Sequence, residues 1–489
     1  MISVPDAASE LTSTTGLDGL RAFRQELYDC LTARSDALFE LTDAVLCSHG
    51  PVVSVPELSL AEPHRRGHGA MYDALACGGI DIARLRRALA GRELPRGVDR
   101  QLTVALDVTP WPRPDAECSP ERLHCHRQCR CDGVRQTIPG WPYSVAAALG
   151  PGRSSWTAPL DALRLGPTDD ATTATAGQIR ELHARLEQAG QLRHDDPSVL
   201  IVLDAGYDLV RLTWLLADVP VQLLGRVRSD RVMYGPPGPR QGQRPGRQPR
   251  HGPKFVFTDA ATHPHPEQVS TSTHERFGTV SARSWSRLHP KLERRGAWTT
   301  HPGPLPNVEA TLLHVAVDHL PGNRTPKPLW LWFSHPDAAA VNLDLLWRTY
   351  LRRFDIEHTF RFCKQTLGLT RPRLRTPEQA DRWVWLILAA YTQLHLARRL
   401  ADDLRRPWEK PCTPDKLTPG RVRRGFHRIR HTAGLPASAP KATRAGPGRP
   451  KGSTNTHRAP RHSAGKHQLS PETQHRATTR KTPKATTPG

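Results

Sequence analysis

The sequence predicts an α/β protein whose mixed sheet is flanked by helices, with an N-terminal helical domain, a mostly β insertion and a disordered basic C-terminal tail. The sheet is predicted by two apolar, β-branched segments, QLTVALDVTPW and PSVLIVLDAG, whose strands are expected to end at Asp107 and Asp204. The 489 residues, 37% of them apolar, allow roughly three domains and a core for most of the chain.

Residues 1–97 predict the N-terminal helical domain. Segments 17–48 and 69–91 carry apolar residues at three-to-four spacing, and prolines separate them. Residues 98–232 then predict the first part of the sheet domain, in the order strand, strand, strand, helix, strand, helix, strand. Residues 337–406 complete it with two segments, WRTYLRRFDIEHTFRFCKQTLG and a long apolar helix that should seal the core.

Residues 233–336 predict a basic loop followed by a β-rich insertion. The loop YGPPGPRQGQRPGRQPRHGPKF contains no acidic residue and too much Pro and Gly to pack a core. It is interpreted as an arm that follows phosphates, with a plain flexible linker as the alternative. Its cations are Arg240, Arg244, Arg247, Arg250 and Lys254. The segments EATLLHVAVDHL and KPLWLWFSH after the loop predict strands.

The end of the chain predicts a basic linker over 407–440 and a disordered basic tail over 441–489. The tail has 11 Lys and Arg against one Glu and no aromatic residue, so it is too polar to fold alone. Its segment GPGRPKGS resembles an AT-hook, in which Arg449 would enter a narrow A·T minor groove. A generic basic tail is the alternative interpretation.

The overall charge favours a polyanionic partner. Lys and Arg number 69 against 47 Asp and Glu, which gives a net charge of +22 and a pI near 10.2. DNA is the simplest such partner. No apolar run approaches the roughly 20 residues of a membrane span, and the N-terminus lacks a signal-peptide pattern. We therefore expect a cytoplasmic protein, at the nucleoid of a bacterium.

The most specific pattern places Tyr350, Arg353, Glu357 and Lys364 at steps of three, four and seven. On one helix, the last three would share a face, although such mixed charge more often marks a solvated face. With Asp107 and Asp204 upstream, this spacing resembles the Tyr-Arg-Glu-Lys signature of the cut-and-paste DDE transposases of bacterial insertion sequences. An Asp after a strand can also be a helix cap or turn former, so the order of the three carboxylates carries the resemblance.

The resemblance implies a ribonuclease-H-like core in which Asp107, Asp204 and Glu357 are the catalytic, metal-binding carboxylates. Two Mg²⁺ ions, replaceable by Mn²⁺, would support cleavage of transposon ends and attack of the 3′ hydroxyl on target DNA. The N-terminal domain would help to grip transposon ends, with a purely structural helical cap as the alternative, and a homodimer would form on the DNA. By the same resemblance, Tyr350, Arg353 and Lys364 would contact DNA, and Trp298 could stack on an extruded base unless it is a core residue.

Two other functions fit the same sequence: a metal-dependent endonuclease without strand transfer, and a decayed or recruited DNA-binding protein without catalysis. A separate question concerns six potential ligands in the segment CSPERLHCHRQCRC, which could form a tetrahedral zinc site. Their spacing fits no standard zinc motif, so an exposed basic loop is the default expectation. The ligands are Cys118, His124, Cys125, His126, Cys129 and Cys131.

Overall fold

The computed structural model describes residues 7–67, 69–97, 100–128, 135–152, 154–238, 249–321, 325–337, 341–441, 451–452 and 458–465. The first elements are α1 (Ala7–Asp29), β1 (Leu31–Ala33), α2 (Ser35–Cys47), α3 (Val55–Leu58), α4 (Gly69–Cys77), β2 (Gly79–Ile80) and α5 (Ile82–Ala90). Next come β3 (Thr103–Pro112), β4 (Leu123–Gln128), β5 (Arg135–Leu149), β6 (Thr157–Arg164), α6 (Ala171–Gln188), β7 (Val199–Leu203), α7 (Leu209–Leu215) and β8 (Val221–Val227). The rest are β9 (Val232–Tyr234), β10 (Lys254–Val256), β11 (Gln268–His274), β12 (Gly278–Leu288), β13 (Ala310–Val317), β14 (Leu329–Phe333), α8 (Leu343–Arg352), α9 (Phe354–Gln365), α10 (Pro377–Ala397) and α11 (Pro419–Ala433).

A ten-stranded mixed sheet organises the described part of the chain, in the order β11-β12-β13-β14-β8-β7-β3-β5-β4, with β6 also paired to β5. Its centre, β3 with β7 and β7 with β8, is parallel, whereas β5 and β6 are antiparallel. Apart from β4, which was not predicted, the strands and helices between residues 103 and 227 follow the predicted order, because near-continuous apolar runs form buried central strands. The arrangement is consistent with a ribonuclease-H-like core.

The β-rich insertion extends this sheet. Strand β14 pairs antiparallel with β8 through Trp332↔Gly225, and β13, β12 and β11 follow in antiparallel steps. Both predicted strands, β13 and β14, are present, while β11 and β12 were not predicted. Strand β11 reads QVSTSTH and its residues alternate between exposed and half-buried, as suits an edge strand.

The N-terminal helices share one apolar core with α10 and α11. A buried ionic cluster lies in this bundle, where Asp43 accepts hydrogen bonds from Arg24 at 2.7 and 2.9 Å and from Arg430 at 3.1 Å. The structure thus corrects the expected linker over 407–440, which contains a packed helix. Val422, Phe426 and Ile429 recur at steps of four and three, and this apolar stripe is hidden among basic residues.

Residues 123–128 of the Cys/His-rich segment form strand β4 instead of the expected exposed loop. It pairs antiparallel with β5 from Leu123↔Gly140 to Gln128↔Arg135, and the Leu123 side chain is fully buried. Burial of one apolar side chain and pairing to a long neighbour stabilise this polar strand at the edge of the sheet. Among the described residues, none of the helices has the length and apolar character needed to cross a bilayer.

Candidate active site

The first carboxylate, Asp107, lies in the middle of β3. The strand was expected to end at Asp107, yet β3 continues through Pro110 to Pro112 along β5. Parallel pairing with β7 ends at Ala105↔Val202, so beyond that point β3 has only β5 as a neighbour. The prolines, which lack an N–H donor, are tolerated there because one side of the strand is unpaired. This early end of β7 leaves space beside Asp107.

Asp204 follows β7 directly and faces that space. Strand β7 is buried along its whole length and ends at Leu203, so its carboxyl end presents the next side chain at the edge of the sheet. The turn after it leads into α7, whose N-terminus is capped by Asp208, which accepts a hydrogen bond from Arg211 N. Asp208 therefore has a capping role, whereas Asp204 stays available at the site.

Glu357 is brought to the same edge by α9. The helix packs on the sheet through Ile356, which is fully buried against Ala105, Ala147 and Leu149. The two alanines have small side chains, so the helix can approach the strands closely. Glu357 follows Ile356 and turns toward the carboxylates of β3 and β7.

Arg353 lies at the centre of the three carboxylates. Its guanidinium is 3.3 Å from Asp107, 3.7 Å from Asp204 and 3.0 Å from Glu357, each measured between side-chain nitrogen and oxygen. Arg353 is only 3% exposed, whereas the Asp204 and Glu357 side chains are 44% and 43% exposed. A single buried cation thus faces three carboxylates, two of which are open to solvent.

Burial and these neighbours shift the pKa values of the site. Burial raises the pKa of Asp107 to about 6; Asp204 and Glu357 act in the same direction, and the Arg353 cation opposes them. Burial lowers the pKa of Lys364 to about 8, although the charge of Asp107 opposes that shift. For Arg353, burial lowers the pKa, but Asp204, Asp107 and Glu357 outweigh it and the net shift is upward.

The four signature residues do not share one helix face. Arg353 lies at the junction of α8 and α9, so Tyr350 belongs to the first helix, and Glu357 and Lys364 belong to the second. Tyr350 is 3% exposed in the core between α8 and the sheet, and burial raises the pKa of its phenol to about 12. Tyr350 is thus separated from the other three, whereas Arg353 directly precedes α9 and contacts Glu357, one turn later, at 3.0 Å, as residues on one helix face do.

Sequence reasoning missed Phe354, the first residue of α9. Its ring is 46% exposed, and the Arg353 guanidinium carbon lies 4.9 Å from the ring centroid. The ring supports the central arginine from the solvent side. Its only sequence signal is its position next to Arg353.

Several predicted DNA-binding residues lie away from this edge of the sheet. Arg250 donates to the carbonyl of Leu305, shortly before the start of β13. Strand β13 runs parallel to β7, so it begins at the end of the sheet opposite to Asp204. Lys254 is paired through its backbone with Tyr234, and Tyr234 forms a backbone bridge with His289. His289 directly follows β12, which finishes at that same end of the sheet, opposite to Asp204. Arg240, Arg244, Arg247 and Arg449 lie outside the described residues.

Trp298 is also remote from the carboxylates and is a core residue. It is 8% exposed, with its ring 5.4 Å from that of Trp214, near the turn that leads into β8. Because β8 is parallel to β7, the first residues of β8 lie at the end of the sheet opposite to Asp204. The structure therefore does not bring the Trp298 ring to the position expected for stacking on a base near the cut.

The donor chemistry of the carboxylate site fits a hard divalent cation. Asp107, Asp204 and Glu357 supply carboxylate oxygens, which Mg²⁺ prefers, and they already converge on a positive charge. Across the described residues, no three Asp, Glu, His or Cys side chains meet closely enough to ligate one ion, and Arg353 lies between the carboxylates. Ion binding therefore requires the guanidinium to shift.

Only some of the six possible zinc ligands lie within the described residues. Cys125 is buried, with its thiol directed at the carbonyl of Leu123, and Cys118 lies near the carbonyl of Ala459. Cys129 and Cys131 fall outside the described residues, and so does the His126 side chain. The described ligands do not assemble into a zinc site.

Comparison with known proteins agrees with this geometry. A family model described as DDE superfamily endonuclease matches residues 26–291, more than half of the chain, including Asp107 and Asp204. Glu357 lies beyond the matched range, so its assignment depends on the site geometry and the signature spacing. A search of curated proteins finds no significant match. On the extent of the family match, the chain belongs to the DDE superfamily endonucleases.

Proposed function

We propose that this protein is a DNA transposase, which cleaves transposon ends and joins the freed 3′ hydroxyl to target DNA. Family membership supports a nuclease that acts on DNA and uses divalent metal ions. One observation carries the proposal: carboxylates from β3, from the end of β7 and from α9 converge on a single guanidinium. Distant parts of the sequence thus build one anionic site.

Asp107, Asp204 and Glu357 would hold the Mg²⁺ ions, with Mn²⁺ as a substitute. Such ions, when bound, activate a water or a 3′ hydroxyl and stabilise the charge on the leaving oxygen. Asp107 must be ionised to act as a ligand, and its raised pKa of about 6 allows this at neutral pH. The two exposed carboxylates, Asp204 and Glu357, are open to solvent and to incoming ions.

The cations of the site would bind the DNA strand. The planar guanidinium of Arg353 can donate two parallel hydrogen bonds to a phosphate once it leaves the carboxylates. Lys364 lies within electrostatic range of Asp107 and would place a point charge near the scissile phosphate. Tyr350 is buried and would hold α8 and Arg353 in position from the core instead of contacting DNA.

The test is Asp204→Ala on a supercoiled plasmid that carries the DNA flanking the coding region. We expect Mg²⁺-dependent nicking to fall by about a thousandfold or more, because removing one ligand costs several kcal/mol of transition-state stabilisation. DNA binding measured in EDTA should stay within about twofold of wild type. Asp230→Ala is the control, since that carboxylate is 66% exposed and pairs only with nearby Arg228 among the ion pairs described.

Wild-type cleavage by Asp204→Ala would overturn the assignment of the three carboxylates. A second assay supplies DNA with a pre-cut 3′ end and an unlabelled target plasmid. Joined products support strand transfer, which the transposase proposal requires. Hydrolysis without joined products would instead identify a metal-dependent endonuclease. The size of the protein–DNA complex, measured by light scattering, tests the proposed homodimer.

A further inference from the structure

The basic tail contains a short segment, 458–465, that lies against the edge of the sheet. Its main chain donates from His462 N to the carbonyl of Glu117 at 2.8 Å and from Gly465 N to the carbonyl of Arg122 at 2.7 Å. The carbonyl of Gly465 accepts from His124 N at 3.2 Å, which forms a parallel bridge to the first residue of β4, Leu123. The segment therefore adds to an edge strand through backbone hydrogen bonds.

A buried arginine and a close glycine contact define this docking site. Arg122 is 4% exposed and donates to the carbonyls of Ser119 at 2.9 Å, Arg113 at 3.2 Å and His462 at 2.6 Å. A Cβ atom added to Gly465 would lie 2.8 Å from Cβ of Pro167, closer than atoms can pack. The surface around β4 thus fits this segment, and only glycine fits at its last described position.

The docked segment lies toward the same end of the sheet as the carboxylates, namely the end at which β3 and β7 finish. Gly465 bridges to Leu123, which pairs with Gly140 on β5, and Gly140 pairs with Pro112 on β3. Pro112 is five residues beyond Asp107 on β3, about 16 Å along the strand. That direction is also the direction in which β7 runs toward Asp204, because β3 and β7 are parallel.

A second link leads from β4 to the site. Burial raises the pKa of the Cys125 thiol on β4 to about 11, and the Lys364 cation partly opposes this shift, so the two side chains are within electrostatic range. Lys364 in turn interacts with Asp107. Electrostatic interactions of Cys125 with Lys364 and of Lys364 with Asp107 therefore connect β4 to the carboxylate site.

The tail carries cations on both sides of its docked segment. Residues 441–489 contain 11 Lys and Arg against one Glu, and Lys466 directly follows Gly465. Within the segment, the ion pair of Arg461 with Glu117 is weak, because these side chains are 80% and 62% exposed. Fixing this segment to β4 brings the charges of Arg458 and Arg461 to this end of the sheet.

We propose that residues 458–465 anchor the basic tail to β4, so that its cations bind the DNA backbone next to the phosphodiester cleaved at the Asp107–Asp204–Glu357 site. This inference rests on the proposed DNA-cleaving function for the identity of the partner. The anchor itself is a property of the free protein and can be tested without DNA or metal.

The first experiment measures docking by limited trypsin digestion of the full-length protein, with peptides identified by mass spectrometry. Gly465→Val should release the segment, so cleavage after Arg458 and Arg461 should become about tenfold faster, because proteolysis follows the population of the open state. Ser463→Val is the matched control; that position is exposed, and cleavage should match wild type. Equal protection in Gly465→Val and wild type would overturn the anchor.

The second experiment maps DNA contacts in EDTA with a photo-crosslinking phenylalanine at position 463 or, separately, at position 358, an exposed site next to Glu357. The two sets of crosslinks should fall within about ten nucleotides of each other, given about 16 Å of strand and 3.4 Å per nucleotide. Adding Gly465→Val should scatter the crosslinks from position 463 and weaken DNA affinity about three- to tenfold, although no charge is removed. Unchanged crosslinks in that variant, or distant ones in the wild type, would overturn the proposal.

These readouts stay separate from the proposed activity, since no catalysis occurs in EDTA. If Asp204→Ala cleaved normally while the crosslinks behaved as expected, the catalytic assignment would fail and the anchor would stand. The converse result would leave the nuclease and remove the anchor.

Discussion

The position of Arg353 predicts that this residue acts as an internal counter-ion for the three carboxylates of the candidate site when metal is absent. Arg353→Gln removes the charge and keeps most of the side-chain volume. Asp107, Asp204 and Glu357 would then face one another without the cation that now lies within 3.0–3.7 Å of each. The variant should therefore be destabilised in EDTA.

The exposed fractions of the partners set the magnitude. Removing one partner of a fully buried ion pair costs about 3–5 kcal/mol. Here the Asp107 side chain is 20% exposed, and Asp204 and Glu357 are more than 40% exposed, so water screens part of the repulsion. We therefore expect a loss of about 2–3 kcal/mol in the free energy of unfolding.

Magnesium should reverse this loss. An ion present at 100 times its Kd stabilises the folded state by about 2.7 kcal/mol. In the wild type, the same ion must first displace the guanidinium, so its stabilising effect should be smaller. Urea unfolding in EDTA and across a Mg²⁺ titration measures both effects.

The matched control is Arg352→Gln. Arg352 pairs with Asp355 at 2.5 Å and donates to the carbonyl of Gly150, so it makes a similar ion pair outside the carboxylate site. Its Mg²⁺ response should equal that of the wild type. The reasoning is refuted if Arg353→Gln matches the wild type in EDTA, or if Mg²⁺ stabilises the variant no more than it stabilises the wild type.

Three further predictions concern the rest of the chain. Phe426→Ala should lower the free energy of unfolding by about 3–5 kcal/mol in urea, because this fully buried α11 ring belongs to the N-terminal core. Burial lowers the pKa of His395 to about 3, so below about pH 6.5 the unfolded chain takes up a proton that the folded chain does not. The free energy of unfolding should therefore fall by about 2 kcal/mol by pH 5. In urea titrations, His395→Phe should remove this loss. Deleting residues 466–489 removes five Lys and Arg, so the slope of log Kd against log salt should flatten by up to about 4 in fluorescence anisotropy.

Each of these has a control and a contrary outcome. Arg428→Ala, on the exposed face of α11 with a side chain 62% exposed, should change stability little; an equally small effect of Phe426→Ala would show that α11 is dispensable. At pH 7.5 the His395→Phe variant reports its packing effect alone, and an identical pH dependence in both proteins would exclude His395 as the source. An unchanged salt slope after the deletion would show that residues 466–489 make no phosphate contacts.

The central sheet was predictable because its strands are local apolar runs bounded by turns. SVLIVLDAG reads as a strand by itself, and the structure buries all of Val199–Leu203. Strands β4 and β11 were missed because pairing with a long neighbour holds them, and neither has an apolar pattern of its own. Helix α11 was missed since its apolar stripe of three residues is embedded in PGRVRRGFHRIRHTA, where basic residues dominate the composition.

For the site, residue types and their order were predictable, but their arrangement in space was not. Arg353 and Glu357 meet at the spacing that the sequence shows, but the break between α8 and α9 places Tyr350 on a different helix. Burial of Tyr350 and Trp298 depends on neighbours distant in sequence, such as Trp214 for Trp298. The central place of Arg353 also requires its approaches to Asp107 and Asp204, which are distant in sequence, so no local pattern encodes them.

The buried cluster around Asp43 has a consequence for synthesis of the protein on the ribosome. Asp43 is fully buried and needs Arg24 from α1 and Arg430 from α11, while Arg24 also donates to Gln393 of α10 at 2.6 Å. Although domains usually fold in order from the N-terminus as they emerge, this bundle cannot complete its core until α11 has been translated. Nascent chains should therefore leave the N-terminal helices exposed until a late stage, when Glu357 is already made. Formation of the nuclease site and closure of the bundle are then nearly simultaneous events.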